Sequence, residues 1–310
     1  TISYAANVAE RYSDAFLAVV DVETIRNSSP YIVVDFANAS SSQILAPLLT
    51  KLNCATVALN QAVDETKMSI PPEDFQRALV GLGKIVSVLD TALGVRLDVG
   101  GERIFVVDEN GRQIPQISLA AALATMALQY QEGGIIAVPV TMPSIFEDIA
   151  QRYGGQVIRT KADPQALMTA ANRKGVIMAA DGNGGFIWPQ FQPVVDGMMT
   201  LAKMLEFRAK QNKPLSTLIA EVPEYHIAVG EVACPWETKG SVMRLLNQQY
   251  KDHLGQQIDG IHIDLSDREW VLVLPDPDSP LFHIHAQSST QSGAQDLIDK
   301  YVRIVQGLQN

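Results

Sequence analysis

Tyr31-Ile32-Val33-Val34-Asp35-Phe36 is a continuous apolar run that reads as a strand. The turn cluster Asn27-Ser28-Ser29-Pro30 precedes it, and Ala37-Asn38-Ala39-Ser40-Ser41-Ser42 follows as a small polar turn. Ser42 is predicted to cap a helix over Gln43 to Leu52, and Ala55 to Leu59 is predicted to be a second strand. Strand, helix and strand in this order make a β-α-β unit, the kind that builds parallel or mixed sheets.

Upstream, Ala5, Val8, Ala9, Tyr12, Ala15, Phe16, Val19 and Val20 recur at spacings of three and four, which predicts one buried helical face. The chain starts at Thr1 without a methionine, directly in that helix-like sequence, and reads as a fragment whose N-terminal part lies elsewhere. Downstream, a helix from Asp74 to about Asp90 leads to a hairpin. Its halves are Gly94 to Asp98 and Arg103 to Asp108, with Asn110-Gly111 as the following turn. An alanine-rich helix, Leu119 to Tyr130, closes this part.

After the linker Gln131-Glu132-Gly133-Gly134 the pattern restarts. Strands are predicted at Ile135 to Val140, Gln156 to Arg159 and Val176 to Ala180, with helices Pro143 to Tyr153 and Pro164 to Lys174 between them. The loop Asp181 to Gly185 leads into Phe186-Ile187-Trp188, and a long helix from Val194 to Gln211 follows. From His226 the order becomes β-α-β-β-β-α, that of an antiparallel sheet with helices on one face. The predicted architecture is two tandem mixed-sheet α/β domains, 1–132 and 133–224, and a small α+β domain, 225–310.

Composition narrows the function classes. Lys and Arg number 24 against 34 Asp and Glu, a net charge of −10, which argues against broad binding to a nucleic-acid backbone. The longest nearly uninterrupted apolar stretch, Leu119 to Leu128, falls far short of the roughly 20 residues that span a bilayer. Glu10, Arg11 and Asp14 interrupt any signal-peptide core. Cys54 and Cys234 have neither zinc spacing nor a disulfide framework, and two free buried thiols suit a reducing, cytoplasmic compartment.

The order of these pieces resembles domains two to four of the four-domain phosphohexomutase superfamily (phosphoglucomutase and phosphomannomutase). Val33 to Asn38 resembles the opening strand and turn of domain two. Leu97 to Gly111 (LDVGGERIFVVDENG) resembles the metal loop and the strand after it. Arg159-Thr160-Lys161 and Asp196-Gly197 resemble two landmarks of domain three, and Trp270 to Pro280 the strand entering the phosphate loop of domain four.

The chemical loops depart from the family pattern. The family's Asp-Gly-Asp-x-Asp-Arg, which holds Mg²⁺ with three carboxylates and a phosphoserine from domain one, reads here Asp98-Val99-Gly100-Gly101-Glu102-Arg103. The resemblance therefore leaves Asp98 and Glu102 as a reduced metal pair, expected to be empty, with Arg103 salt-bridged to Glu102 or Asp98. The sugar loop, usually Gly-Glu-x-Ser-Gly-His, reads Ala180 to Gly185, leaving Asp181 and Asn183 to hydrogen-bond a hydroxyl. The phosphate loop, usually Arg-Pro-Ser-x-Thr-Glu-Pro, reads Leu274 to Pro280. Asp276, Asp278 and Ser279 stand in it, and at about 5 Å and an effective dielectric of about 20 each carboxylate would repel a unit anionic charge by roughly 3 kcal/mol. His283 and His285 share one face of a strand without a third metal ligand, and Asp264, Asp267 and Glu269 read as a solvated hairpin turn.

Three functions follow as expectations. The first is a mutase-like module that no longer catalyses. It would be joined to an upstream domain of the same polypeptide, as in sugar nucleotidyltransferases of the mannose-1-phosphate guanylyltransferase type, and would act as a regulatory or oligomerisation surface. No cofactor is expected in that case. The second is a working phosphohexomutase, with Mg²⁺, moving a phosphoryl group between the C1 and C6 oxygens of a hexose phosphate. The third is a plain ligand-binding α/β protein using the crevice between its tandem domains, which Asp181, Asn183 and Arg159 would line. A sugar or sugar phosphate is the small-molecule partner expected of the chain.

Overall fold

The structure, a computed structural model, describes residues 7–309, so the Thr1 start and the Ala5 position lie outside the described residues. The first helices are α1 (Val8–Ala18) and α2 (Val22–Ser28), followed by β1 (Tyr31–Asp35), α3 (Ser41–Lys51), β2 (Ala55–Leu59), α4 (Pro72–Leu89), β3 (Leu93–Leu97), β4 (Ile104–Asp108) and α5 (Gln116–Tyr130). The sheet order is β2-β1-β3-β4, with β1 parallel to β2 and β3, and β4 antiparallel to β3. The unbroken apolar run of β1 follows from its position: as a central strand covered on both faces it needs no polar alternation.

Pro72 at its start and Glu73 and Asp74 in its first turn favour the N-terminus of α4. Leu79, Leu82 and Val86 of this helix pack on Val33 and Val107. Gly111, at φ +76°, lets the turn after β4 lie against α4, where a Cβ on it would come within 2.2 Å of the Gly83 carbonyl oxygen.

The second sheet comprises β5 (Gly134–Pro139), β6 (Gly155–Thr160), β7 (Val176–Ala180), β8 (Phe186–Trp188) and β9 (Gln192–Val195), in the order β6-β5-β7-β8-β9. Helices α6 (Ile145–Arg152) and α7 (Pro164–Ala171) lie between its strands in sequence, and α8 (Gly197–Gln211) and α9 (Leu215–Ala220) follow. The third sheet is antiparallel, β10-β13-β12-β11, from β10 (His226–Ala233), β11 (Ile261–Asp264), β12 (Trp270–Pro275) and β13 (Leu281–Ser288). Its core joins Phe282 and Ile284 to Val242 and Leu246 of α10 (Trp236–Gln249) and to Ile298, Tyr301 and Val305 of α11 (Gln291–Gly307). Two mixed α/β sheets followed by an antiparallel α+β sheet are the predicted fold class.

The chain forms two compact units. One holds the chain up to Ala137 with Ile149–Ile158 and Leu167–Val222; the other holds Val138–Asp148, Arg159–Ala166 and the chain from Pro223 on. Strands β5 and β6 begin in the first unit and end in the second. No helix among the described residues is long and apolar enough to cross a membrane. Cys54 and Cys234 are free and buried.

Three local expectations are corrected. The N-terminal helix has no continuous buried face: within α1 only Phe16 is buried, Val8 is 59% exposed, and Ala9 and Ala15 are exposed. Specific contacts hold the helix in place of a broad face, since Phe16 and Tyr12 meet Phe191 edge-on and Tyr12 donates to Asp196. Ser42 does not cap α3; the helix starts at Ser41, and the Ser42 hydroxyl donates back to the Ala39 carbonyl at 2.9 Å. Val194 and Val195 belong to β9, where β-branched residues fit, and α8 begins only after Asp196, whose carboxylate accepts the Met199 N–H at 2.7 Å.

At the C-terminal ends of β1 and β3 sits a buried ion pair. Arg96 Nη1 meets Asp35 Oδ2, Asp35 Oδ1 accepts from Ala37 N and Asn60 Nδ2, and the guanidinium lies 5.4 Å from the Phe75 ring centre. Removing one partner leaves the other as a buried, uncompensated charge. Asp35→Ala should therefore cost about 3–5 kcal/mol in urea unfolding, and the double change Asp35→Ala with Arg96→Met should recover most of it. A single-variant loss under about 1 kcal/mol would show that Arg96 finds water or another acceptor.

Candidate functional site

In the first unit the loop 98–103 lies beside the loop 181–185. Ile104 N donates to the Gly184 carbonyl at 3.0 Å, and an antiparallel bridge joins Arg103 to Gly185. The N-terminus of α8 closes against the same place, with Gly197 N donating to the Gly101 carbonyl at 2.9 Å. A Cβ on Gly197 would stand 3.0 Å from Gly101 O and 3.1 Å from Arg103 O, so the Asp196-Gly197 pair answers a packing demand: a cap followed by a residue with no side chain.

The carboxylates here look inward. Asp98 Oδ1 accepts from Glu102 N at 2.8 Å and Arg103 N at 3.0 Å. Asp181 Oδ1 accepts from Asn183 N at 2.7 Å and Gly185 N at 2.9 Å. Arg103, about half exposed, reaches across to Asp181 Oδ2 at 3.5 Å. This corrects the expected salt bridge to Glu102 or Asp98: only the backbone of Arg103 meets Asp98, because that carboxylate already closes its own turn. Asn183 is exposed, and so is Glu102, which lies against Gly100; a Cβ at Gly100 would be 3.2 Å from Glu102 Cγ.

These residues do not fit the divalent cation that the resemblance implies. Position 100 offers no carboxylate, one oxygen of Asp98 is taken by two N–H groups, and the free oxygen of Asp181 faces a guanidinium. Among the described residues no three His, Cys, Asp or Glu side chains converge as a metal set.

The remaining candidates lie in the second unit. In the loop 275–280, Asp276 Oδ1 accepts from Asp278 N at 2.8 Å and Ser279 N at 2.6 Å, and Asp276 Oδ2 lies 2.8 Å from His283 Nε2. Lys239 Nζ donates to the Asp276 and Ser279 carbonyls and sits 3.9 Å from the Trp236 ring centre. Hydrogen bonds from His283 and from loop N–H groups hold the Asp276 carboxyl down to about 2. His283 Nδ1 also lies 3.4 Å from Glu231. His285 beside it is held neutral by burial, its imidazole pushed down to about 4.

Arg159 has every donor engaged. Its Nε and Nη2 pair with the two oxygens of Glu147 at 2.8 and 2.6 Å, Nη1 donates to the carbonyls of Pro139 and Met142, and Nη2 to that of Pro143. The guanidinium holds the 139–147 segment and keeps no N–H for a ligand. Lys239 and Gly197 were not singled out as site residues from the sequence. A lone lysine in a helix carries no signal, whereas Gly197 stands in a motif whose spatial reason appears only in the fold.

Residues 10–111 match the family model for phosphoglucomutase/phosphomannomutase, alpha/beta/alpha domain II, and residues 116–225 that for domain III. A phosphoglucomutase/phosphomannomutase of Thermococcus kodakarensis is 30% identical over 301 residues, covering 97% of this chain and 66% of that protein. A Methanopyrus kandleri protein named "probable phosphoglucosamine mutase" is 29% identical over 289 residues, 93% of this chain and 64% of its own. The solved structure of a phosphoglucomutase/phosphomannomutase family protein from Burkholderia thailandensis shares the fold, with TM-score 0.79 and 19% identity over 98% of this chain and 66% of that one. Fold and sequence thus agree on an α/β/α class of protein with an added α+β domain. The chain belongs to the α-D-phosphohexomutase superfamily and corresponds to its domains two to four. It spans just under two thirds of the length of these relatives, 64 to 66%.

Acid should lower the stability of the chain over two pH ranges. His285 stays neutral in the fold but takes a proton near 6.5 when unfolded, so its contribution, full above 6.5, falls away as pH drops from there to about 4. Asp276 contributes above its ordinary 3.8 and loses that contribution as pH falls toward about 2. Urea midpoints measured from pH 7 to pH 2 should show a shallower upper stage in His285→Phe and a shallower lower stage in Asp276→Asn.

Proposed function

We propose that this chain is the part of a phosphohexomutase that handles the sugar phosphate, in an enzyme that moves a phosphoryl group between the C1 and C6 oxygens of a hexose phosphate. The observation that carries the reading is the relatedness, over nearly the whole chain, to proteins named as sugar-phosphate mutases. The juxtaposed loops 98–103 and 181–185 support it. There Arg103 offers a half-exposed guanidinium to an anionic group, and Asn183 offers an amide to a hydroxyl. Arg103 would bind and orient the phosphate through paired N–H donors, with Asp181 fixing the direction of its side chain. Cytoplasmic sugar metabolism is the matching setting, and an upstream domain of the same polypeptide the matching partner.

A specific observation favours a second reading, a module that has kept the fold without the chemistry, attached to a sugar nucleotidyltransferase. In all three loops an aspartate oxygen is bound to two N–H groups of its own turn. An oxygen so engaged is a poor metal ligand, and an aspartate-closed turn is a poor phosphate cradle.

Thermal unfolding of the chain with glucose, mannose and glucosamine 1- and 6-phosphates, each with and without Mg²⁺, separates the two. Ligand at about 100 times its dissociation constant should add roughly 2.7 kcal/mol of stability, and Arg103→Ala should remove the shift. No shift with any sugar phosphate, together with no mutase turnover by the full-length polypeptide, would overturn the enzymatic reading in favour of the second.

A further inference from the structure

A cavity of about 220 Å³ lies within the second unit, and none of the residues lining it belongs to the three loops. Its floor is apolar, formed by Val140, Met142 and Trp270, all buried.

The polar chemistry of its walls is one-sided. Arg159, the one guanidinium facing it, has all five N–H groups engaged by Glu147 and three carbonyls. The Trp270 indole N–H donates to Gln287 at 3.2 Å, and Ser144 N donates to the same oxygen at 2.8 Å. Acceptors are in surplus. Asp264 and Asp267 are exposed at the rim, and Glu147 adds a third carboxylate against the single charge of Arg159. His262 stacks on Trp270 with ring centres 5.1 Å apart. Its Nδ1 lies 3.2 Å from Asp264 Oδ1 but lacks the alignment of a hydrogen bond, and no other polar group meets it among the described residues. Burial holds this imidazole below its ordinary value, so near neutral pH it adds no positive charge.

We propose that this cavity binds a small organic cation, a primary ammonium or guanidinium on a short apolar stem. The stem would lie on Val140, Met142 and Trp270, and the charged head would donate to Asp264 and Asp267 at the rim. Gln256, Ser144 and Ser266 both donate and accept, and adapt to either head group. An anion is disfavoured by the excess of carboxylates, and a neutral alcohol would leave them uncompensated. The cation can come as a free amine or as the lysine or arginine side chain of another protein. This site is independent of the proposed function, since none of its residues belongs to the loops 98–103, 181–185 or 275–280.

Calorimetric titration of the full chain with butylammonium chloride, against sodium chloride and 1-butanol at matched concentration, tests the proposal. Saturable millimolar binding of butylammonium, about tenfold tighter than 1-butanol, is expected. The Asp264→Asn, Asp267→Asn double variant should lose about tenfold, whereas the Asp296→Asn, Asp299→Asn double variant, exposed changes of equal total charge on α11, should leave the affinity unchanged. A blocked lysine tripeptide in a parallel titration distinguishes the sources: tighter binding than butylammonium supports a protein side chain, weaker binding a free amine. The proposal is overturned by equal binding of 1-butanol, by an unaffected double variant that unfolds at the wild-type temperature, or by the absence of saturation with both cations.

Discussion

A backbone N–H at a tight turn needs an acceptor, and in this protein an aspartate carboxylate supplies it again and again. Asp98, Asp108, Asp181 and Asp276 each place one oxygen on two N–H groups of the turn that follows, and Asp196 caps α8 in the same manner. The sheets and helices satisfy their own polar groups; the loops between them depend on these side chains. Where Asp98 and Asp181 close neighbouring turns, they also fix how loop 98–103 meets loop 181–185, and the Arg103–Asp181 contact follows from that placement.

The same interaction limits what the loops can do chemically. A carboxylate oxygen has two lone-pair directions, and two N–H donors occupy both, so the oxygen that shapes a turn is withdrawn from metal or substrate. In loop 98–103 this leaves one oxygen of Asp98 and the flexible Glu102, too few hard donors to replace the hydration of a divalent cation. In loop 275–280 the consequence is reversed in sign: Asp276 occupies N–H groups that an anion would need, and Lys239 turns its ammonium to carbonyls rather than outward. Membership of a mutase superfamily and loops of this kind are compatible, because a fold is held by its cores while an activity rests on a handful of loop atoms.

Much of the fold was legible in the sequence because apolar continuity and period are local signals. The run from Tyr31 to Phe36, set between two turn clusters, reads as a covered strand, and β1 occupies Tyr31–Asp35 of it; the two α/β patterns announced themselves by repetition. Errors arose where residues suit two roles. Val194-Val195 sustains a helical pattern as easily as a strand, and only the capping contact of Asp196 with Met199 N decides between them. Ala9 and Ala15 carry too little apolar area to reveal that α1 rests on Tyr12 and Phe16 rather than on a continuous face. In the site, the motif order draws attention to Asp98, Arg103, Asp181 and Asp276. Their partners stayed hidden because each bond is made to a backbone N–H or across distant sequence, where no spacing rule applies.

Arg159 shows how far this reading by satisfaction of donors can go. From sequence it is a cation beside a strand end and a natural candidate for a ligand. In the fold it meets three carbonyls and both oxygens of Glu147, and with five donors and five acceptors its chemistry is complete. A guanidinium in that state behaves as a structural brace whose charge still acts at a distance: it opposes protonation of His262 without offering a hydrogen bond to anything that enters beside it. The cavity next to it therefore takes its character from Asp264 and Asp267, whose carboxylates no turn has claimed. Acidic residues that close turns and acidic residues left open are alike in composition and in net charge, and only the position of the nearest N–H groups separates scaffold from binding surface.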